Sequence, residues 1–289
     1  MIVRRPYRIL EDFHKVYNFL VSIYAHDGCN GHAAPYFEYA QNHTYFDASQ
    51  SHRISLWEEN SEIAGMAFYE MKPGTALFAL QPGYGFLITE MIDYAETRLC
   101  GDDGKLEINV LAAQAAIRAE LAARGYHCEK FWTTAGYPYS KGPLSYALPV
   151  GYRFLSADET YDYWKHRVCT WYGFNHGDEG APDQDIEDLI HYTAAPHFRR
   201  DLDVVVVASN GDYACFAGMW LVPGNKLAYL EPLCTMPQYR RKGLAAAAMA
   251  ELQRRTEQEG ADFLTGGSNP FYYAIGFEAA CTDEIWVKA

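Results

Sequence analysis

The stretch Glu231-Pro-Leu-Cys-Thr-Met-Pro-Gln-Tyr-Arg-Arg-Lys-Gly-Leu-Ala245 is where residue types and spacing say most about chemistry. Its last part fits R-x-x-G-x-A through Arg240, Gly243 and Ala245, at the junction of an apolar strand pattern and a long alanine-rich helical pattern. Small residues at such a junction let a ligand approach the backbone, and the N–H groups of a first helical turn have no partner within the helix. That arrangement favours phosphate, helped by the helix dipole and here by three adjacent cations, Arg240, Arg241 and Lys242. The chain carries a net charge of −13, so a local cluster of positive charge calls for a reason. A solvated basic helix start is the plainer reading of the same residues.

The elements that would hold this segment follow from periodicity. Apolar residues Phe13, Val16, Tyr17, Leu20 and Tyr24 recur at helical spacing over about 10–24. Two strands are predicted within 53–71 around the turn Glu59-Asn60-Ser61, and 76–80 continues the sheet. A helix over 86–99, a strand over 106–110, a helix over 112–123 and a strand through Phe131 complete the first half. The second half repeats the order. Helices over 161–172 and 185–192 precede strands over 204–208, 214–221 and 227–235. A helix starting just past Pro237 runs to about Glu257, then come a strand over 263–265, a brief helix from about Pro270 and a last strand over 285–288. Gly125-Tyr126 and Gly276-Phe277 fall at matching places, each leading into a closing strand that contains a Trp, so the pattern reads as a duplicated fold. The boundary is placed in the Pro- and Gly-containing segment 141–151, giving domains 1–145 and 146–289.

A chain of 289 residues is long for one core and comfortable for two. The acidity argues against a general nucleic-acid binder, which needs a basic face, and tolerates cationic small molecules. Seven Cys form no disulfide framework, and the N-terminus has basic residues but no apolar region behind them. No apolar run approaches the length of a membrane span. The expectation is a cytoplasmic protein acting on neither membrane nor nucleic acid, as monomer or homodimer. The ten His show no H-E-x-x-H and the Cys no paired C-x-x-C, so no metal is expected. His32, His191 and His197 either line a pocket or serve as surface and core residues.

The phosphate-type segment resembles the cofactor motif of the GNAT (GCN5-related N-acetyltransferase) superfamily, Q/R-x-x-G-x-G/A after a strand and a V-x-P-type turn, here Thr235-Met-Pro-Gln-Tyr-Arg240. A second element, Asn269-Pro-Phe-Tyr272-Tyr-Ala-Ile-Gly276-Phe277, is similar to the family's N-x-x-Y-x-x-x-G-F. The resemblance covers most of 151–289 and, more faintly, the first half. It implies an α/β fold (α+β, mixed sheet): two tandem GNAT-like domains, each a mostly antiparallel twisted sheet flanked by helices. It further implies acetyl-CoA as co-substrate, with the backbone of Leu233, Cys234 and Thr235 beside the pantetheine arm and that of Arg241, Lys242, Gly243, Leu244 and Ala245 around the pyrophosphate. Asn269 would contact the cofactor. Tyr272 would protonate the departing thiolate, a role its ordinarily high pKa suits, the alternative being a core aromatic beside Phe271 and Tyr273.

By the same resemblance the reaction is acetyl transfer to a primary amine of a small molecule or peptide by direct attack. The amine must be neutral to attack, so some group takes its proton. Glu231 is the candidate, since period-two alternation puts it on the face of Leu233 and Thr235, and a carboxylate in an apolar strand is otherwise a structural acceptor. Cys234 as a nucleophile is disfavoured, with no His at motif spacing. The first half reads Gln81-Pro-Gly-Tyr-Gly-Phe-Leu87 where the phosphate motif would be and Leu121 where Tyr272 would be, so it is expected to fold like the second half without binding CoA. A non-catalytic acyl-CoA-binding regulator is the alternative function.

Overall fold

The computed structural model describes residues 1–156, 159–177, 179–180 and 186–288. The chain divides into two compact units, Met1–Ala135 with Ala279–Ala289, and Gly136–Glu278. In the first, β1 (Ile2–Pro6), α1 (Ile9–Ile23) and α2 (Ala34–Asn42) precede the meander β2 (Ser55–Glu59), β3 (Glu62–Phe68) and β4 (Thr75–Leu80). α3 (Ile88–Arg98), β5 (Glu107–Leu111), α4 (Ala115–Ala123) and β6 (Tyr126–Pro138) follow. The second run repeats this order: β7 (Tyr152–Phe154), α5 (Tyr163–Gly173), α6 (Glu187–Thr193), β8 (Asp203–Ala208), β9 (Tyr213–Val222), β10 (Leu227–Thr235), α7 (Leu244–Glu257), β11 (Phe263–Thr265), α8 (Pro270–Ala274) and β12 (Glu278–Lys288). The predicted duplication is therefore an observed identity of element order. β1 and β7, both short, escaped the hydropathy pattern.

Within each unit the meander is antiparallel, and the fourth and fifth strands, β4 with β5 and β10 with β11, are parallel. The closing strands do not stay with the halves that precede them. β12 pairs antiparallel with β5 in the first unit, Asp283 opposite Leu111 and Trp286 opposite Ile108. The end of β6 pairs with β11 in the second unit, Gly136 opposite Thr265. The compact units consequently depart from a single cut at 145/146. Periodicity marks a segment as a strand and leaves its neighbour open, because partner choice is decided by which edge can be buried.

Local chemistry explains the elements. The β2–β3 turn puts Asn60 and Ser61 at φ 52° and 69°, the left-handed pair that a two-residue hairpin matching strand twist requires. α7 is alanine-rich, which favours helix and lets its buried Ala246, Ala247, Ala248, Met249 and Leu252 lie close on the sheet. β9 is buried along its whole length, with α5 and α7 both packed on it. The core of the first unit is built around Trp57, Tyr69, Phe37, Phe68 and Phe78, all essentially inaccessible.

Deleting residues 279–289 is expected to remove the partner of β5 and so strip amide-exchange protection from Ile108–Leu111, while β8 and β9 keep theirs. Hydrogen exchange read by mass spectrometry checks this, and protection lost chiefly from β8 and β9 would contradict the strand assignment.

Candidate functional site

β10 and β11 run side by side only at their beginnings, Leu227 opposite Phe263 and Ala228 opposite Leu264. The Leu230 amide then donates to the Thr265 side-chain Oγ1 at 2.7 Å instead of a backbone carbonyl, and no further β10–β11 pair follows. On its other side β10 stays paired with β9 to Thr235, through a bulge in which Glu231 and Pro232 together oppose Gly218. From Glu231 to Thr235 one edge of β10 is thus unpaired with β11, and Pro232 has no N–H to offer.

The bulge alters the reading of Glu231. Its extra residue breaks the alternation between Leu230 and Leu233, so the face of Glu231 does not follow from that of Leu233 and Thr235 as period two predicts. Its side chain is half-buried and its carbonyl accepts from Trp220 Nε1 at 3.1 Å. Cys234 points into a core, its Sγ 4.0 Å from Cys169 Sγ, which leaves only its backbone for the edge. Thr235 Oγ1 bonds Cys215 Sγ at 3.3 Å.

Past the strand, Pro237–Tyr239 form a single turn and α7 starts at Leu244, later than the sequence pattern placed it. The loop between is strained in an informative way. Arg241 has φ 62° and the N-cap Gly243 φ 79°, and a non-glycine residue in this region marks a backbone shaped for something. Arg240 N is bonded to Pro237 O, and Ala247 N to Gly243 O. Between them the amides of Arg241 to Ala246 have no hydrogen-bond partner among the described residues, and a Cβ at Gly243 would meet open space. Leu244 itself is buried and Ala245 half-buried, so both can serve only through their backbone.

The three cations divide their work. Arg240 is turned onto the protein: Nε donates to Thr235 O at 3.0 Å, and Nη2 to Gly173 O at 3.0 Å and Asn175 Oδ1 at 2.8 Å. Lys242 donates to the Tyr152 hydroxyl at 3.2 Å and lies 5.3 Å from the Tyr239 ring centroid. Arg241 is exposed, and no hydrogen bond or ion pair engages its guanidinium among the described residues. The expected cluster of three cations facing one anion is therefore a single such cation and two braces, because carbonyls and phenols within reach compete for the other two.

Tyr272 lies on α8 with its ring flat against glycine backbone. A Cβ at Gly266 would stand 2.7 Å, and one at Gly267 2.9 Å, from that ring, so the pair Gly266-Gly267, unremarked in the sequence, makes the room for it. Phe277 packs edge-on beside it, with ring centroids 5.5 Å apart. Burial, then the charge of Glu231, pushes the phenol well above its ordinary value, so it holds its proton at neutral pH. Asn269 caps α8, its Oδ1 accepting from Phe271 N at 2.9 Å, and so fixes the helix that carries Tyr272.

The first unit closes the corresponding edge. Leu80 N donates to Asn30 O at 2.9 Å, buried Gln114 donates to Phe78 O at 3.1 Å, and Gly31 lies so close to Ala79 that a Cβ would be 3.0 Å from it. The edge of β4 is satisfied by its own chain, through residues that no motif flags.

A titratable cluster that sequence reading also missed sits under α5 and α6. Buried Asp203 accepts from the Tyr192 hydroxyl at 3.3 Å, and Arg200 lies 4.0 Å from its other oxygen. Tyr161 is bonded to Nδ1 of fully buried His166. Burial pushes Asp203 up to about 7 and His166 down to about 3, the latter with help from Arg200. His191, by contrast, is half exposed beside Glu187, and His32 is mostly covered in the first unit, stacked on Tyr36. No group of side chains able to hold a metal occurs among the described residues. No helix among them is long and apolar enough to cross a membrane.

With this geometry in view, residues 161–277 match the acetyltransferase (GNAT) family. They form a GNAT domain. The fold of the whole chain is similar to a tandem GNAT protein from the clavulanic acid biosynthesis pathway, solved without AcCoA, at 17% identity and TM-score 0.65 over 99% of this chain and 98% of that one. It is also similar to a GNAT-family acetyltransferase from Colwellia psychrerythraea, at 12% identity and TM-score 0.64 over 99% and 100%. A GCN5-related N-acetyltransferase from Sphaerobacter thermophilus gives 13% and 0.61 over 99% and 95%. No curated protein matches at the level of sequence. The α+β architecture in tandem, expected from the two motifs, is thereby shown, and the family match of residues 161–277 supports acyl transfer as the general chemistry.

The buried Asp203 gives the GNAT domain a pH-dependent stability. An unfolded Asp releases its proton near 3.9, whereas folded Asp203 keeps it to about 7, so the folded state binds more protons between these values. This contribution is complete below about 4 and is lost as pH rises through about 7. Asp203→Asn should flatten the wild-type stability curve over that window in urea titrations, and a difference curve independent of pH would contradict it.

Proposed function

We propose that the chain is an acetyl-CoA-dependent N-acetyltransferase that transfers the acetyl group to a primary amine of a small molecule or peptide by direct attack. The observation that carries this reading is the succession of two backbone features, an edge of β10 unpaired with β11 and a run of amides at the start of α7 with no partner among the described residues. The amides of Arg241–Ala246 at the start of α7 lie directly after the β10 edge that β11 leaves unpaired. Such amides suit a pyrophosphate, and such an edge suits an extended amide-bearing arm. Acetyl-CoA has both, and it would supply the thioester acyl group.

The residues divide accordingly. The backbone of Leu233, Cys234 and Thr235 pairs with the arm, and that of Arg241, Lys242, Gly243, Leu244 and Ala245 surrounds the pyrophosphate, with the Arg241 guanidinium adding charge. Arg240 and Asn269 act by holding the loop and α8 in place. Tyr272, kept protonated by burial, has a proton to give where the leaving sulfur would lie. Glu231, at the bulge, takes the amine proton directly or through water. Holding amine and thioester together supplies much of the remaining acceleration, and no covalent enzyme intermediate is needed. The acceptor is a cationic small molecule or a peptide terminus in keeping with the acidic chain, with no nucleic acid, membrane or metal involved, and the setting is cytoplasmic.

Calorimetry with acetyl-CoA, followed by thiol release against a panel of amines, tests this reading, and heat without turnover across a broad panel would favour an acyl-CoA-binding regulator. Tyr272→Phe should lower kcat by about 10²-fold and leave acetyl-CoA affinity nearly unchanged. Equal losses in both would remove the assigned role. Arg241→Glu should weaken acetyl-CoA binding by roughly 3- to 10-fold, a dipole-assisted contact reversed in sign, and an unchanged Kd would count against the pyrophosphate assignment.

A further inference from the structure

The titratable cluster under α5 and α6 has no place in the roles above, yet the register carries it to the bulge. Asp203 on β8 pairs with Gly218 on β9, and Gly218 in turn opposes Glu231 and Pro232 on β10. Gly218 is the crossing point. A Cβ there would overlap the Tyr192 hydroxyl and stand 2.8 Å from the Glu231 carbonyl oxygen, so the absence of a side chain admits that hydroxyl between Asp203 and the bulge. Tyr192 is held there by edge-on rings, Phe198 at 5.1 Å and Trp220 at 5.7 Å, and its hydroxyl bonds Asp203 Oδ1 at 3.3 Å. A half-buried phenol that joins a buried carboxylate to the strand where the amine is expected is placed to move a proton.

We propose that Tyr192 contacts the acceptor's ammonium group and, with Asp203 behind it, receives the proton that the amine must lose. The inference rests on the transferase reading and makes Tyr192, in place of or beside Glu231, the group that meets the amine. In the step, an N–H proton of the ammonium passes to the Tyr192 oxygen as the phenol's own proton passes to the Asp203 carboxylate. Cation and anion become neutral amine and carboxylic acid. The nitrogen lone pair is freed for attack, and Asp203 later returns its proton by the same path. Tyr192 is thus the catalytic group and Asp203 a positioning residue acting through it.

The surroundings of Asp203 fit this task. Facing it are Tyr161 ahead of α5, with His166 behind that phenol, Tyr192 from α6, and Arg200 from the turn before β8, whose Nη1 donates to the Asp203 carbonyl at 2.7 Å. The guanidinium restrains the rise that burial imposes, leaving the carboxyl near 7, where a proton acceptor works best at neutral pH.

The test combines three measurements on the full chain: kcat/KM for an accepted amine against pH, acetyl-CoA affinity by calorimetry, and the Asp203 titration by carbon-13 NMR without ligand. The wild-type rate should rise with pH along a limb whose midpoint matches the Asp203 titration near 7. Asp203→Asn should abolish that limb, and Asp203→Asn and Tyr192→Phe should each lower kcat/KM at neutral pH by about 10²-fold with acetyl-CoA affinity unchanged. A merely structural role would lower the rate evenly and leave the limb in place, which would overturn the proposal, as would an Asp203 that titrates like an exposed carboxylate. Should Asp203→Asn fail to fold, Tyr192→Phe, which keeps the ring packing, decides alone, and a wild-type rate in it overturns the proposal. Acetyl-CoA binding without turnover in the wild type would remove the transferase reading and this inference together. Normal turnover with both variants inert to the change would remove this inference only.

Discussion

The parting of β10 from β11 at Leu230 is the constraint on which the rest of the second unit depends. Parallel strands ordinarily share every interior amide, and a strand leaves its neighbour only when something else accepts the next N–H. Here the Thr265 hydroxyl does so, and the bulge at Glu231-Pro232 then swings β10 along β9 alone. Everything downstream takes its position from that departure. Thr235 presents its carbonyl to Arg240, which also gathers the carbonyl of Gly173 at the end of α5 and the side chain of Asn175. The motif arginine therefore works as a tie among strand, helix and loop, and the left-handed Arg241 and Gly243 that follow turn the next amides outward.

The two copies finish the same strand edge in different ways. Both place a parallel fifth strand beside the fourth, and both must account for the fourth strand's edge beyond their shared residues. In the first unit Asn30 and Gln114 supply the missing partners, and Gly31 brings the chain close enough to do it. An edge so satisfied has no free donor or acceptor to offer, whatever the sequence of the turn that follows. The bulky Phe86 and the absence of cations in the stretch Gln81–Leu87 go with that closed edge.

What could be read from the sequence was whatever depends on neighbours along the chain. The strands β8 to β11, the helix α7 and the turn at Asn60-Ser61 follow from period and turn chemistry, and the phosphate-type loop follows from Arg240, Gly243 and Ala245 in their spacing. What could not be read depends on neighbours in space. The bulge that breaks the alternation between Glu231 and Leu233 needs the register with β9, and the diversion of Arg240 and Lys242 needs the carbonyls and phenols that the fold brings to them. Gly218 within β9 and Gly266 and Gly267 just past β11 look like ordinary glycines until Tyr192 and Tyr272 are seen lying against them. β12 announces itself as a strand by its residues, but its pairing with β5 belongs to the assembled sheet.

Asp203 illustrates the same limit and gives it a functional edge. As the residue ahead of four valines it reads as the polar start of a buried strand, a position where aspartate is usually solvated or caps a turn. The fold instead covers it with Tyr161, Tyr192 and Arg200, and its Oδ2 has no hydrogen-bond partner among the described residues. Burying a carboxyl this way is unfavourable unless protonation or a close partner relieves it. The second unit accepts that cost on β8, where only β9 separates Asp203 from the bulge on β10. The second unit thus holds two kinds of electrostatics: fixed backbone dipoles at the start of α7, and titrating side chains beneath α5 and α6. An apolar residue at 203 would serve structural stability better, which sets this buried carboxyl, with a phenol leading from it to Gly218, apart from the valines that follow it.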